Sequence, residues 1–169
     1  MKIRLLTIGK IKEAYLKSGI EDFLKRLKPY CNIEIIEVMD EPIPDNPKES
    51  EITLAKEKEG KEILKYLKDS DYLISLDLNK KQLKSEEFAA FLEKSFILGG
   101  STINFVIGGS YGLSDELKRR ANDSISLSNM TFTHQMTRLI LLEQIYRGFK
   151  IIKHETYHKW DTTTTNSNT

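Results

Sequence analysis

Cysteine is nearly absent from this chain: Cys31 is the only one in 169 residues. One thiol cannot close an internal disulfide, and no multi-cysteine zinc pattern can be drawn with it, so Cys31 reads as a packing residue of a reduced, intracellular protein. An excess of one charge is lacking too. The 26 Lys and Arg stand against 25 Asp and Glu for a formal net charge of +1. That balance excludes a disordered polyanion and a basic protein that coats nucleic acid, so any RNA partner is met locally. Long hydrophobic runs are missing as well. No window approaches the ~18 apolar residues of a membrane helix. The opening MKIRLLTIGKIKEAY has an apolar run of about four residues where a signal core needs about 7 to 15, so it reads as a strand, and the cytoplasm is the expected location. The three histidines are scattered, and no metal site is expected.

What is present alternates. KIRLLTI (2–8), IEIIEV (33–38), DYLISL (71–76), INFVI (103–107) and SISL (124–127) read as strands. Between and after them lie helical patterns at about 12–27, 50–68, 85–98, 114–121 and 133–153, with Ser85 as a candidate N-cap of the third. The apolar INFVI is expected to be central. Residues 39–50 carry three prolines and read as a loop. Strand and helix in alternation predict an α/β fold, a mostly parallel sheet with helices on both faces. The length suits one domain, over 1–159, with the low-complexity end, 160–169, as a disordered tail.

In such sheets ligands gather at the carboxyl ends of strands. Three segments follow strand ends here: the one after Leu76, GGSYGLS from Gly108, and LSNMTF (127–132). The glycine turn has neither a dinucleotide G-x-G-x-x-G nor a phosphate-loop G-K-[ST] ending, and GKIKEAY makes a poor phosphate cradle for a flavodoxin-like protein. Glycine backbone, hydroxyls and apolar side chains without charge suit a neutral heteroaromatic ring better than a triphosphate. The blander reading of LSNMTF is a cap for the last helix through Thr131 or Thr133, and both readings hold together.

The last helix holds four consecutive apolar residues, Leu139 to Leu142, more than one sheet face covers, which points to burial against a second subunit. Arg138, Arg147, Lys150 and Lys153 recur along it, and Tyr157, His158 and Lys159 follow. A solvated basic face is the plain reading of such a run.

Taken in order, MKIRLLTIGKIKEAY, ISLDLNKKQLKSEEFA, FVIGGSYGL, SLSNMTFTHQMTRLILLEQIYRGFKI and YHK resemble one family from residue 1 to about 159. It is the RlmH family of the SPOUT superfamily, which methylates N3 of a pseudouridine in large-subunit (23S) ribosomal RNA. The resemblance implies a C-terminal trefoil knot, a rare exception to unknotted topology, and a homodimer acting on the assembled ribosome. It implies S-adenosylmethionine held against Leu76, Gly108 and the loop Leu127, Ser128, Asn129, Met130, Thr131 and Phe132, with Arg147, Tyr157 and His158 near the target base. His158 as general base and Arg147 as anion stabiliser are the expected roles. A catalytically silent ribosomal-RNA-binding module of the same fold is the alternative.

Overall fold

A computed structural model describes residues 1–159. The sequence expectation for 160–169 falls outside the described residues. Five strands, β1 (Lys2–Ile8), β2 (Asn32–Val38), β3 (Tyr72–Leu76), β4 (Thr102–Ile107) and β5 (Asp123–Ile125), form one sheet in the order β2-β1-β4-β3-β5. Every pairing is parallel, so all carboxyl ends share one edge. β4 is central, as its apolar run requires. Its polar exception, Asn104, is fully buried and satisfied: Arg4 donates to its Oδ1 at 3.1 Å, and its Nδ2 donates to the Tyr72 carbonyl at 3.1 Å.

The helices are α1 (Ala14–Leu27), α2 (Glu49–Leu64), α3 (Ser85–Gly99), α4 (Asp115–Arg120) and α5 (His134–Ile152). Strand alternation divides them between two faces. Ile3 and Leu5 of β1 with Ile103 and Phe105 of β4 meet Leu27 of α1, Leu92 of α3 and Leu141, Ile145 and Phe149 of α5. Leu6 and Ile8 of β1 with Val106 of β4 meet Ile63 of α2 and Leu117 of α4. Truncating a buried aromatic such as Phe105 to alanine would cost about 3–5 kcal/mol in such a core. On the second face Gly60 lets α2 approach α4, since a Cβ there would stand 2.5 Å from the Ser114 hydroxyl. That hydroxyl is already committed as the N-cap of α4, accepting from Leu117 N.

One local expectation changes. Ser85 is the first residue of α3 rather than its cap. Lys84 holds the cap position, its backbone N–H donating to the Glu87 carboxylate at 2.8 Å, which frees the Ser85 hydroxyl for another partner. Within the run Leu139 to Leu142, Leu141 and Leu142 are buried inside the chain between α1 and α3, while Leu139, packed on Gly19 of α1, and Ile140 are half-buried.

Candidate functional site

β4, β3 and β5 are neighbours, so the three segments singled out from the sequence emerge side by side. Leu76 pairs with Ile107 on one side and Ile125 on the other. Gly108 opens a tight turn in which Gly112 N donates to the Gly109 carbonyl at 3.1 Å and Gly112 takes a φ of 88°. A Cβ on Gly108 would lie 2.6 Å from the Gly112 carbonyl carbon. The glycine is therefore required by the turn's own backbone, before any ligand is considered.

Beyond β5 the chain bends back on hydroxyl groups. Ser126 Oγ donates to the Ser128 carbonyl at 2.9 Å, and Met130 N donates to Ser128 Oγ at 3.0 Å. Thr133 then caps α5, accepting from Met136 N at 3.1 Å. Between this loop, α3 and α5 opens a cleft of about 340 Å³. Leu127, Ser128 and Phe132 line it together with Leu83, Ser85, Phe88, Ile125, Ser126, Ile140 and Gln144. Asn129, Met130 and Thr131 are exposed and lie outside that lining, as do Leu76 and Gly108 at the adjoining strand ends. The lining has no charged side chain. Apolar walls with three serine hydroxyls and one amide fit a planar, polar-edged ring such as adenine and bring no cation to a phosphate.

The Arg147, Tyr157 and His158 side chains come together next to this cleft. After α5 ends, His154 turns the chain at a φ of 55° and Tyr30 donates to the Glu155 carboxylate at 2.7 Å, pinning the returning tail. Lys150 donates to the same carboxylate at 3.0 Å, and its hydrogen bonds to Tyr30 and Glu155 hold the ammonium well above the usual lysine range. The Tyr157 ring then packs edge-on against Tyr146, with the Arg147 guanidinium 4.8 Å from its centroid. Glu143 Oε1 accepts from Arg147 Nε at 3.1 Å and Nη2 at 2.5 Å and from the Tyr157 hydroxyl at 3.2 Å. His158 lies between Arg147 Nη1, 3.1 Å from Nδ1, and Glu86 Oε1, 2.8 Å from Nε2. A guanidinium only donates, so the imidazole accepts at Nδ1 and carries its hydrogen on Nε2, facing the carboxylate. Burial, and next the charge of Glu143, raise the Tyr157 pKa, so it remains a phenol at neutral pH.

This chain matches, over residues 1–158, the family described as "Predicted SPOUT methyltransferase". The chain belongs to the SPOUT methyltransferase family. Curated relatives named "Ribosomal RNA large subunit methyltransferase H" are similar along their whole length. The one from Clostridium kluyveri is 50% identical and that from Enterococcus faecalis 52%, each over 94% of this chain and 100% of the relative. Among solved structures, a probable methylase family protein from Haemophilus influenzae superposes with a TM-score of 0.55 at 14% identity, over 93% of this chain and 70% of that one. A putative methylase family protein from Neisseria gonorrhoeae gives 0.52 at 14% identity, over 94% and 87%. At these identities the two structures speak for the fold.

A second concavity of this SPOUT chain, about 410 Å³, opens at the other end of the same sheet edge. Asp40, Glu41, Asp45 and Glu59 line it against the single lysine Lys56, with the proline loop as one wall. Burial raises the Glu59 pKa, although Glu41 N donates to its carboxylate at 3.0 Å. His134 lies here, its pKa lowered by burial and by Arg138. Arg138 itself is not part of a basic surface. Only 1% exposed, it donates to Glu37 at 2.7 Å and to the Ile8 and Gly9 carbonyls at 2.9 and 2.6 Å, tying the end of β1 to α5.

Sequence reasoning named only Leu127, Ser128 and Phe132 of the cleft lining. Ser85 read as a cap, Ile125 and Ser126 as strand, and Phe88, Ile140 and Gln144 as helix, while Leu83 was not singled out. Nothing in their spacing marks them, because only the packing of α3 on α5 turns them toward the loop. His154 and His158 stand four residues apart, but α5 ends at Ile152, so they share no helix face.

Proposed function

We propose that this SPOUT protein is an S-adenosylmethionine-dependent methyltransferase of large-subunit ribosomal RNA, acting on N3 of a pseudouridine in the assembled ribosome. One observation carries the reading: an uncharged, apolar cleft at the carboxyl edge lies directly beside a tail-borne cluster of Arg147, Tyr157 and His158. The printed name of the half-identical relatives supplies the substrate class, and the motif resemblance supplies the base and atom.

S-adenosylmethionine, when bound, supplies a sulfonium methyl to a nucleophile. Leu127, Ser128 and Phe132 form the wall that would hold its adenosine, and Leu76, Gly108, Asn129, Met130 and Thr131 surround that wall on the adjoining loops. The attacking N3 must lose a proton. Nδ1 of His158 has the free lone pair for it once Arg147 Nη1 is exchanged for the base. The released guanidinium then stands ready to stabilise the developing anion. Tyr157, a phenol held by Glu143, donates and packs but does not serve as base.

The protein acts as a homodimer in this reading, as the motif resemblance implies. A net charge of +1 provides few phosphate contacts, and affinity for free RNA scales with their number, so the assembled ribosome, a shaped surface, is the substrate rather than naked transcript. The test is calorimetric titration with S-adenosylmethionine, followed by labelled methyl transfer to ribosomes lacking the modification. Donor binding with transfer to ribosomes and not to transcript is the expected result. Ribosome binding with no transfer would establish the silent RNA-binding module instead.

A further inference from the structure

The cleft and the tail cluster are built from adjacent residues on two helices. Ser85 faces the cleft and Glu86, next to it on α3, holds His158. Gln144 faces the cleft and Glu143, next to it on α5, holds Arg147 and Tyr157. The two helices are joined at that level, because Ser85 Oγ donates to Gln144 Oε1 at 2.8 Å and Gln144 Nε2 donates to Glu143 Oε2 at 2.7 Å. A continuous chain of hydrogen bonds thus runs from the cleft wall to the three tail-cluster groups.

Glu86 has a particular place in that chain. The imidazole of His158 has two neutral tautomers, and an acceptor for the hydrogen on Nε2 favours the one that leaves Nδ1 bare. Glu86 Oε1, at 2.8 Å, is such an acceptor. Arg147 on the opposite side demands a bare Nδ1, so both neighbours select the same tautomer. Among the described residues, the charged and titratable groups hydrogen-bonded to the ring are Glu86 from α3 and Arg147 from α5, with Glu143 behind Arg147 and Tyr157 bonded to Glu143.

We infer that Glu86 is a positioning residue for methyl transfer: it fixes His158 in the tautomer with a bare Nδ1 and anchors the tail to the helix that also walls the donor cleft. The inference rests on the proposed function and adds a residue to it. Glu86 touches neither donor nor base; it acts through His158, as a carboxylate that orients an imidazole does in other sites.

The experiment compares wild type, Glu86→Ala, Glu86→Asp, His158→Ala and the double variant Glu86→Ala/His158→Ala, each checked for folding by circular dichroism. Methyl transfer to ribosomes gives kcat and the donor KM, and nitrogen-15 NMR of the labelled imidazoles shows which ring nitrogen of His158 carries hydrogen. Glu86→Ala is expected to lower kcat about 10- to 100-fold, the loss usual for removing an orienting carboxylate, with the donor KM within about twofold. Its His158 signals should shift from the single Nε2–H tautomer toward a mixture, and Glu86→Asp should recover part of both. In the His158→Ala background the Glu86 substitution should cost nothing further, because two residues that act as one unit are not additive. Full kcat in Glu86→Ala, or independent losses in the double variant, overturns the role of Glu86 while leaving the methyltransferase reading intact. A wild type that binds donor and transfers no methyl group overturns that reading, and the positioning role with it.

Discussion

One sheet edge carries two concavities of opposite character. The cleft on the β5 side is uncharged, walled by Phe88, Leu127, Phe132 and Ile140, and adjoins Arg147, Tyr157 and His158. The one on the β1 and β2 side is larger, yet four carboxylates face one lysine and it adjoins the buried Arg138 anchor. The difference teaches that volume does not choose a site here; lining does. A neutral ring gains by leaving water for the first and meets a cluster of carboxylates in the second. The edge is thus divided between a half suited to ligand and a half that ties β1 to α5.

Filling either concavity tests that division most severely. Ser128→Trp should abolish S-adenosylmethionine binding by calorimetry with the circular dichroism spectrum unchanged, whereas Ser110→Trp, in the acidic half, should leave affinity within about twofold, since a well-packed pocket rejects added volume only where it is occupied. Loss of binding in both would break the comparison. Ending the chain after Glu155 removes Tyr157 and His158 and should lower methyl transfer by about 10²–10⁴, the usual contribution of positioned acid–base groups, while donor affinity holds. Equal activity in the truncated protein would take the tail out of the reaction.

In the anchoring half the effects fall on stability. Arg138→Met leaves two carbonyls and Glu37 without their donor and should cost about 3 kcal/mol in urea unfolding, the low end for breaking a buried pair because Glu37 keeps contact with solvent. Methyl transfer at a temperature where the variant is folded should persist. A smaller effect comes from His134. Its folded pKa is depressed, so the native state binds fewer protons than the unfolded chain as pH falls below the ordinary histidine value of about 6.5. Stability should drop through that window, and His134→Gln should flatten the slope; an unchanged slope would remove His134 as its source. Least of all, Cys31, buried and with its thiol pushed up to about 11, should resist alkylation at pH 8 until the chain unfolds.

How much of this was legible depends on range. The strands could be read because β-branched runs between glycines and turns are local signals, and INFVI revealed its central place because a strand covered on both faces has little room for polar side chains. Leu127, Ser128 and Phe132, legible as an uncharged loop after a strand, line the cleft in the structure. Arg138 was misread along with its neighbours as surface charge, because a helix pattern does not say which strand end will offer carbonyls to a guanidinium. Gly108 also meets the backbone of Gly112 four residues on, a contact that spacing alone does not show.

The sequence by itself determined the α/β alternation, the parallel sheet and the edge at which chemistry gathers, because hydrophobic period and turn residues act over a few positions. Tertiary structure alone decided that Ser85 and Gln144 complete the cleft, that Glu86 and Glu143 hold the tail, and that Arg138 is an internal anchor. Each of these depends on α5 lying against α3 and against the end of β1, and residues 59 to 130 positions apart meet only when burial of apolar surface drives those elements together.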